Sequence, residues 1–102
     1  MSKLGDRRKL FTRLIPRLLD RMLDRGFNPM IGRDGEKHMK NSLHFDGLAM
    51  DIILTRDGAV LDKTEDHKVF GLFWESLDPL CVWGGSWGKD GNHYSITYQG
   101  KK

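Results

Sequence analysis

An aspartate stands in the middle of an apolar run, Leu48-Ala49-Met50-Asp51-Ile52-Ile53-Leu54. A carboxylate buried in such a run is costly unless it is paired, so Asp51 needs a cationic partner, either a basic side chain or a metal ion. His44 lies seven residues upstream, beyond a turn sequence built on Asp46-Gly47, and His93 opens the last alternating run of the chain. Pairing of these two runs as strands would bring the three side chains together. Two imidazoles and one carboxylate suit a zinc ion, and three protein ligands leave a fourth position for water. Asp90 precedes His93 by three residues in Asp90-Gly91-Asn92-His93, a turn leading into a strand. That spacing sets a second carboxylate beside the metal without making it a ligand. Zinc acidifies a bound water and polarises a carbonyl. A neighbouring carboxylate can then take a proton and pass it to the leaving amine of an amide. From spacing alone, a purely structural use of these residues is an equal alternative.

The elements that must carry these residues can be read from periodicity. Residues 6–25 place Leu10, Phe11, Leu14, Ile15, Leu18, Leu19, Met22 and Leu23 at helical spacing, and Gly26 follows as a stop. Arg13, Arg17, Arg21 and Arg25 form a second stripe, offset from the apolar one, which reads as a solvated face before it reads as a membrane-seeking one. Pro16 implies either a kink or the start of a second helix. Residues 27–32 suit a short strand and 33–43 a loop. Leu48 to Thr55 reads as a mostly buried strand, turned at Arg56-Asp57-Gly58 into a short return at Ala59-Val60-Leu61. Residues 65–77 read as a helix with Phe70, Phe73, Trp74 and Leu77 on one face, closed by Pro79. His93 to Tyr98 alternates as a strand, with His93, Ser95 and Thr97 on one side and Tyr94, Ile96 and Tyr98 on the other. Helices mixed with antiparallel hairpins, without βαβ alternation, indicate an α+β fold.

The chain has 102 residues, enough for a single domain, with 38% hydrophobic and 30% charged residues and a net charge of +3. The mild positive excess allows an anionic partner such as a cell wall, lipopolysaccharide or nucleic acid without choosing among them. No nucleic-acid recognition motif accompanies the basic residues, so nucleic acid is not expected as the partner. Cys81 is the only cysteine, which excludes an internal disulfide and suggests a buried free thiol. The basic start is not followed by an uninterrupted apolar stretch, and no run approaches the roughly 20 apolar residues of a transmembrane helix. The expectation is synthesis as a cytoplasmic chain with no signal peptide.

Ser42-Leu43-His44-Phe45-Asp46-Gly47-Leu48-Ala49-Met50-Asp51 resembles the S-x-H-x-x-G-x-A-x-D signature of the D-alanyl-D-alanine carboxypeptidase and VanX/VanY-type zinc peptidases. Asp90-Gly91-Asn92-His93 is similar to that family's second motif, an acidic residue three before a histidine. Trp74-Glu75-Ser76-Leu77 and Trp83-Gly84-Gly85-Ser86-Trp87 are similar to its phage branch, which includes endolysins cutting L-alanyl-D-glutamate bonds. The resemblance covers about residues 41–98 and, more loosely, the N-terminal helix.

What the resemblance implies is specific. One catalytic domain would span 1–102, with an antiparallel sheet carrying one Zn²⁺ packed against helices, as in the Hedgehog and DD-peptidase folds. His44, Asp51 and His93 would be the zinc ligands, and Asp90 the general base and then general acid. Ser42 would steady the site. Arg33 would help to bind a substrate carbonyl or carboxylate, although a plain solvated arginine is an equal reading. Trp83 and Trp87 would either wall the cleft or pack around the glycine turn. His67, near the start of the second helix, reads most simply as a surface residue, and His38 as a loop residue. The substrate would be the stem peptide of peptidoglycan, reached in the periplasm or cell wall through holin-dependent release, or from a virion tail. The rival reading is a non-catalytic zinc-binding interaction domain of the same fold. A third is an arginine-rich helix that binds nucleic acid or lipid.

Overall fold

Residues 3–32, 42–44, 46–61, 63–88 and 90–102 are described by the computed structural model. The apolar periodicity near the N-terminus becomes one helix, α1 (Lys3–Asp24), which buries Phe11, Leu14, Leu18 and Met22. Pro16 neither kinks it into two elements nor begins a second one. It lies on the exposed side, so the carbonyl one turn earlier that loses its donor faces solvent. Gly26 takes a φ of +87° just beyond the helix end, and the Phe27 amide donates back to the Met22 carbonyl.

The chain then enters β1 (Asn28–Ile31), followed by the long strand β2 (Ala49–Arg56) and the return strand β3 (Ala59–Leu61). Asp57 and Gly58 both have positive φ, 52° and 79°, the pattern of a two-residue type I′ hairpin whose twist matches its strands. Helix α2 (Thr64–Leu77) leads into β4 (Cys81–Trp83), a single 3₁₀ turn at Gly84–Ser86 and β5 (His93–Ile96). The sheet is antiparallel, in the order β1-β2-β5-β4, with β3 beside the far half of β2. The protein is therefore a small α+β domain. Strand β4 has no counterpart in the sequence reading.

Helix α2 covers one face of the sheet. Trp74 lies edge-on to Tyr94 of β5, and its indole N–H donates to the Ser95 carbonyl at 3.0 Å. Helix α1 packs on α2 through Phe11 against Trp74 and the Arg21 guanidinium over the Phe73 ring, 4.1 Å from its centroid. The core gathers these residues with Leu48, Ile52, Leu54 and Ile96. His67 is a correction: it is fully buried, and its Nδ1 lies 2.7 Å from the Tyr94 hydroxyl. The reason is geometric. His67 precedes Phe70 by three residues and Trp74 by seven, so it shares the helix face that α2 turns to the sheet.

Cys81 is buried, as the sequence suggested, and its thiol is pushed up to about 12, first by burial and then by the Asp78 carboxylate. Burial also raises the Tyr94 hydroxyl above its usual range. Both groups are held in their neutral forms in the fold, so their contribution to stability is intact below about pH 9. It is lost as pH rises through the raised Cys81 value. Urea midpoints are expected to hold from pH 7 to about 9 and to fall steadily above it. A flat profile to pH 11 would show that neither group gains from being folded.

Candidate metal centre

The site is built where β2 and β5 meet. Their register sets Asp51 directly opposite His93, and opposed residues of an antiparallel pair project to one face. The neighbouring pair, Met50 and Tyr94, projects to the other face, where Tyr94 meets α2. Asp51 and His93 therefore leave the sheet on the side away from α2. The Ile52 amide donates to the Asn92 carbonyl at 2.9 Å, extending the pairing into the turn before His93.

His44 arrives from a wound turn. The Asp46 amide donates to the Ser42 carbonyl, the Gly47 amide to the His44 carbonyl, and the Leu48 amide to the Leu43 carbonyl. Gly47 closes the turn with a φ of +75°, which a side chain would strain. Leu43 is buried beneath it, anchoring the segment. Ser42 thus contributes its carbonyl to the turn that holds His44. Asp46 is tied from the chain's end by the Lys101 ammonium at 3.3 Å. This tie has no sequence signal, because 55 residues separate its partners.

The donor atoms converge. His44 Nε2 lies 3.2 Å from His93 Nδ1 and 3.4 Å from Asp51 Oδ1, and His93 Nδ1 lies 3.5 Å from that same oxygen. Charge-assisted N–H···O bonds are shorter, about 2.7–2.9 Å, so this triangle is poorly described as a set of mutual hydrogen bonds. Ligands about 2.0–2.1 Å from a tetrahedral ion stand about 3.3–3.4 Å from each other. The three observed separations bracket that value. Both imidazoles are nearly buried, at 6% and 7% side-chain exposure, while Asp51 is 22% exposed and leaves an approach from solvent. His44, Asp51 and His93 are the one group among the described residues whose donor atoms could hold a metal ion.

Asp90 stands at the rim. Its carboxylate is 57% exposed and lies 3.9 Å from His93 Nδ1, outside the triangle. Its backbone is fixed from three directions. The His93 amide donates to the Asp90 carbonyl at 3.1 Å, and the buried Trp83 indole N–H donates to the carbonyl of the next residue, Gly91, at 2.6 Å. The third is Gly84, where a Cβ would stand 2.0 Å from the Asp90 carbonyl oxygen, so only glycine lets the two segments approach.

Trp83 is placed by α2. Its amide donates to Glu75 at 3.1 Å, the Ser86 hydroxyl donates to the other Glu75 oxygen at 2.9 Å, and Gly71 and Gly85 leave room for its ring. Trp83 therefore packs around the glycine turn and orders the Asp90 segment. Trp87, 40% exposed, faces the opening and sets its ring edge-on to His93, with centroids 5.3 Å apart. Glu75 was not singled out from sequence. Its place between Trp74 and a glycine-rich segment it could reach was the available hint. Arg33 and His38 lie outside the described residues.

The arrangement can bind a divalent cation through two nitrogens and one oxygen, with a carboxylate near enough to exchange protons with a group on that cation's open side. Among the described residues, no helix is long and apolar enough to cross a membrane. Comparison with protein-family models, with curated proteins and with solved structures finds no match to this chain.

Proposed function

We propose that this protein is a zinc-dependent peptidase of the D-alanyl-D-alanine carboxypeptidase and VanX/VanY type that hydrolyses amide bonds in the peptidoglycan stem peptide. The observation that carries the reading is the donor triangle of His44, Asp51 and His93 with the free carboxylate of Asp90 at its edge. A site used only to brace the fold has no need of an exposed carboxylate positioned there. When bound, the ion would supply Lewis-acid polarisation of the scissile carbonyl and acidify water.

The chain's own residues account for the remaining tasks. Asp90 accepts the proton released as water adds to the carbonyl and returns it to the departing amine nitrogen, so no proton is gained or lost over the cycle. Trp83, Gly84 and the His93 amide hold the Asp90 backbone still while this happens. Trp87, beside His93 and open to solvent, offers an aromatic wall to a peptide entering the site. The motif resemblance favours an endopeptidase of the phage endolysin type, cutting L-alanyl-D-glutamate or D-alanyl-diaminopimelate bonds, used in lysis or carried in a virion.

The test is mass spectrometry of muropeptides incubated with the purified protein, with and without a chelator. Fragments that appear with metal and vanish with chelator are expected, and their masses name the bond. Intact muropeptides under both conditions would sink the peptidase reading and leave a non-catalytic metal-binding domain.

A further inference from the structure

The net positive charge of this protein lies in its first 25 residues, nearly all of them in α1. Residues 1–25 carry eight lysines and arginines against three aspartates, a net +5, whereas the remaining 77 carry nine against eleven, a net −2. Arg7 and Arg21 are among the cations used within the fold. The Arg7 guanidinium donates to the Thr97 carbonyl, and Arg21 lies on Phe73. Lys3, Arg8, Lys9, Arg13 and Arg17 are exposed on α1, and Arg25 is exposed just beyond its end. Asp20 and Asp24 dilute the end of the helix, but Asp6 is the sole acid in residues 3–17, which hold Arg8, Lys9, Arg13 and Arg17. Within that stretch, Gly5, Arg8, Lys9, Thr12 and Arg13 line an open groove of about 520 Å³. The groove also adjoins the candidate metal centre, because the Arg8 side chain lies against Gly47 in the turn that carries His44.

We infer that residues 3–17 of α1 dock the protein onto a linear phosphate-bearing polymer of the cell envelope, a polyol-phosphate chain held beside the peptide substrate. The choice of an envelope polymer rests on the peptidase reading above; the choice of phosphate contacts rests on the helix itself. Insertion into a bilayer is disfavoured, because the apolar side chains such insertion would need, Phe11, Leu14, Leu18 and Met22, are already buried in the core. Helix α1 has no Asn, Gln, Tyr or Trp, and its one aromatic residue, Phe11, is buried, so only its arginines could stack on or read a base, and nucleic acid is compared directly in the test below. What remains is a row of cations about one helical turn apart, roughly 6 Å, which fits a flexible chain of repeated single charges.

The experiment measures binding of purified poly(glycerol phosphate) at several salt concentrations, with any metal chelated. It compares the native chain with Arg13→Gln/Arg17→Gln and with Lys63→Gln/Lys68→Gln, which removes two exposed cations from elsewhere. The arginine pair is expected to weaken binding about tenfold and to lower the slope of log K against log salt by about 1.4, two phosphate contacts at about 0.7 each. The lysine pair is expected to stay within about twofold of the native chain. Equal losses from both pairs would reduce the effect to overall charge and overturn the docking face, as would no loss from the arginine pair. Single-stranded DNA of matched charge binding more than about tenfold tighter would assign the face to nucleic acid instead. Because cleavage is not the readout, failure of the peptidase reading leaves this result standing. An active peptidase whose arginine pair binds normally would remove only the docking face.

Discussion

On the proposed peptidase reading, replacing Asp90 with asparagine is expected to leave metal binding intact and to lower peptide cleavage by about 10²–10⁴-fold, the usual contribution of a positioned general acid–base. The substitution keeps the size and the backbone of the turn, so the Trp83-to-Gly91 bond and the His93-to-Asp90 bond survive. It removes only the capacity to take up a proton 3.9 Å from Nδ1 of His93, the nitrogen that would face the ion. Because the side chain is 57% exposed, no large change in folding stability accompanies it. Metal content by elemental analysis and cleavage rate should therefore separate. Full cleavage by the Asn variant would take Asp90 out of the reaction.

Alanine at Asp51 produces the second large effect, on metal affinity and on stability together. Asp51 Oδ1 is the corner shared by both imidazoles, and it brings the negative charge of the donor set. An ion that binds only the folded chain stabilises it by RT ln(1 + [L]/Kd), about 4 kcal/mol at a thousandfold excess over Kd. For a domain near 100 residues this is a rise in Tm on the order of 15–30 °C. Native protein titrated with zinc in a thermal melt should show that rise, and Asp51→Ala should show almost none of it. A variant that keeps the increment would mean that the ion sits elsewhere.

The grouping of His44, Asp51 and His93 was readable because each member broke a local pattern. Asp51 interrupts an apolar strand, His93 begins a strand whose alternation fixes its side, and Asp46-Gly47 marks the turn that brings His44 back. Strand pairing then had only one way to bring them together, and the observed register of Asp51 opposite His93 is that way. The support around the site was not readable to the same degree. Strand β4 is three residues between Pro79 and the glycine run, too short to show a period. His67 looked like a surface histidine because its polarity outweighed its place on the helix face, and its partner Tyr94 is 27 residues away. Glu75 and Lys101 act through contacts that no spacing rule connects. Pro16 misled in the opposite direction. A proline on the exposed side of a long helix, with the buried face intact around it, does not end the helix.

The most direct test of the metal centre is X-ray absorption at the zinc edge on the purified, zinc-loaded protein. One ion per chain is expected, four-coordinate, with nitrogen and oxygen neighbours at about 2.0–2.1 Å and the multiple-scattering features of two imidazoles. A sulfur neighbour at about 2.3 Å, which only Cys81 or a methionine could supply, or the absence of imidazole scattering, would contradict the assignment of His44, Asp51 and His93.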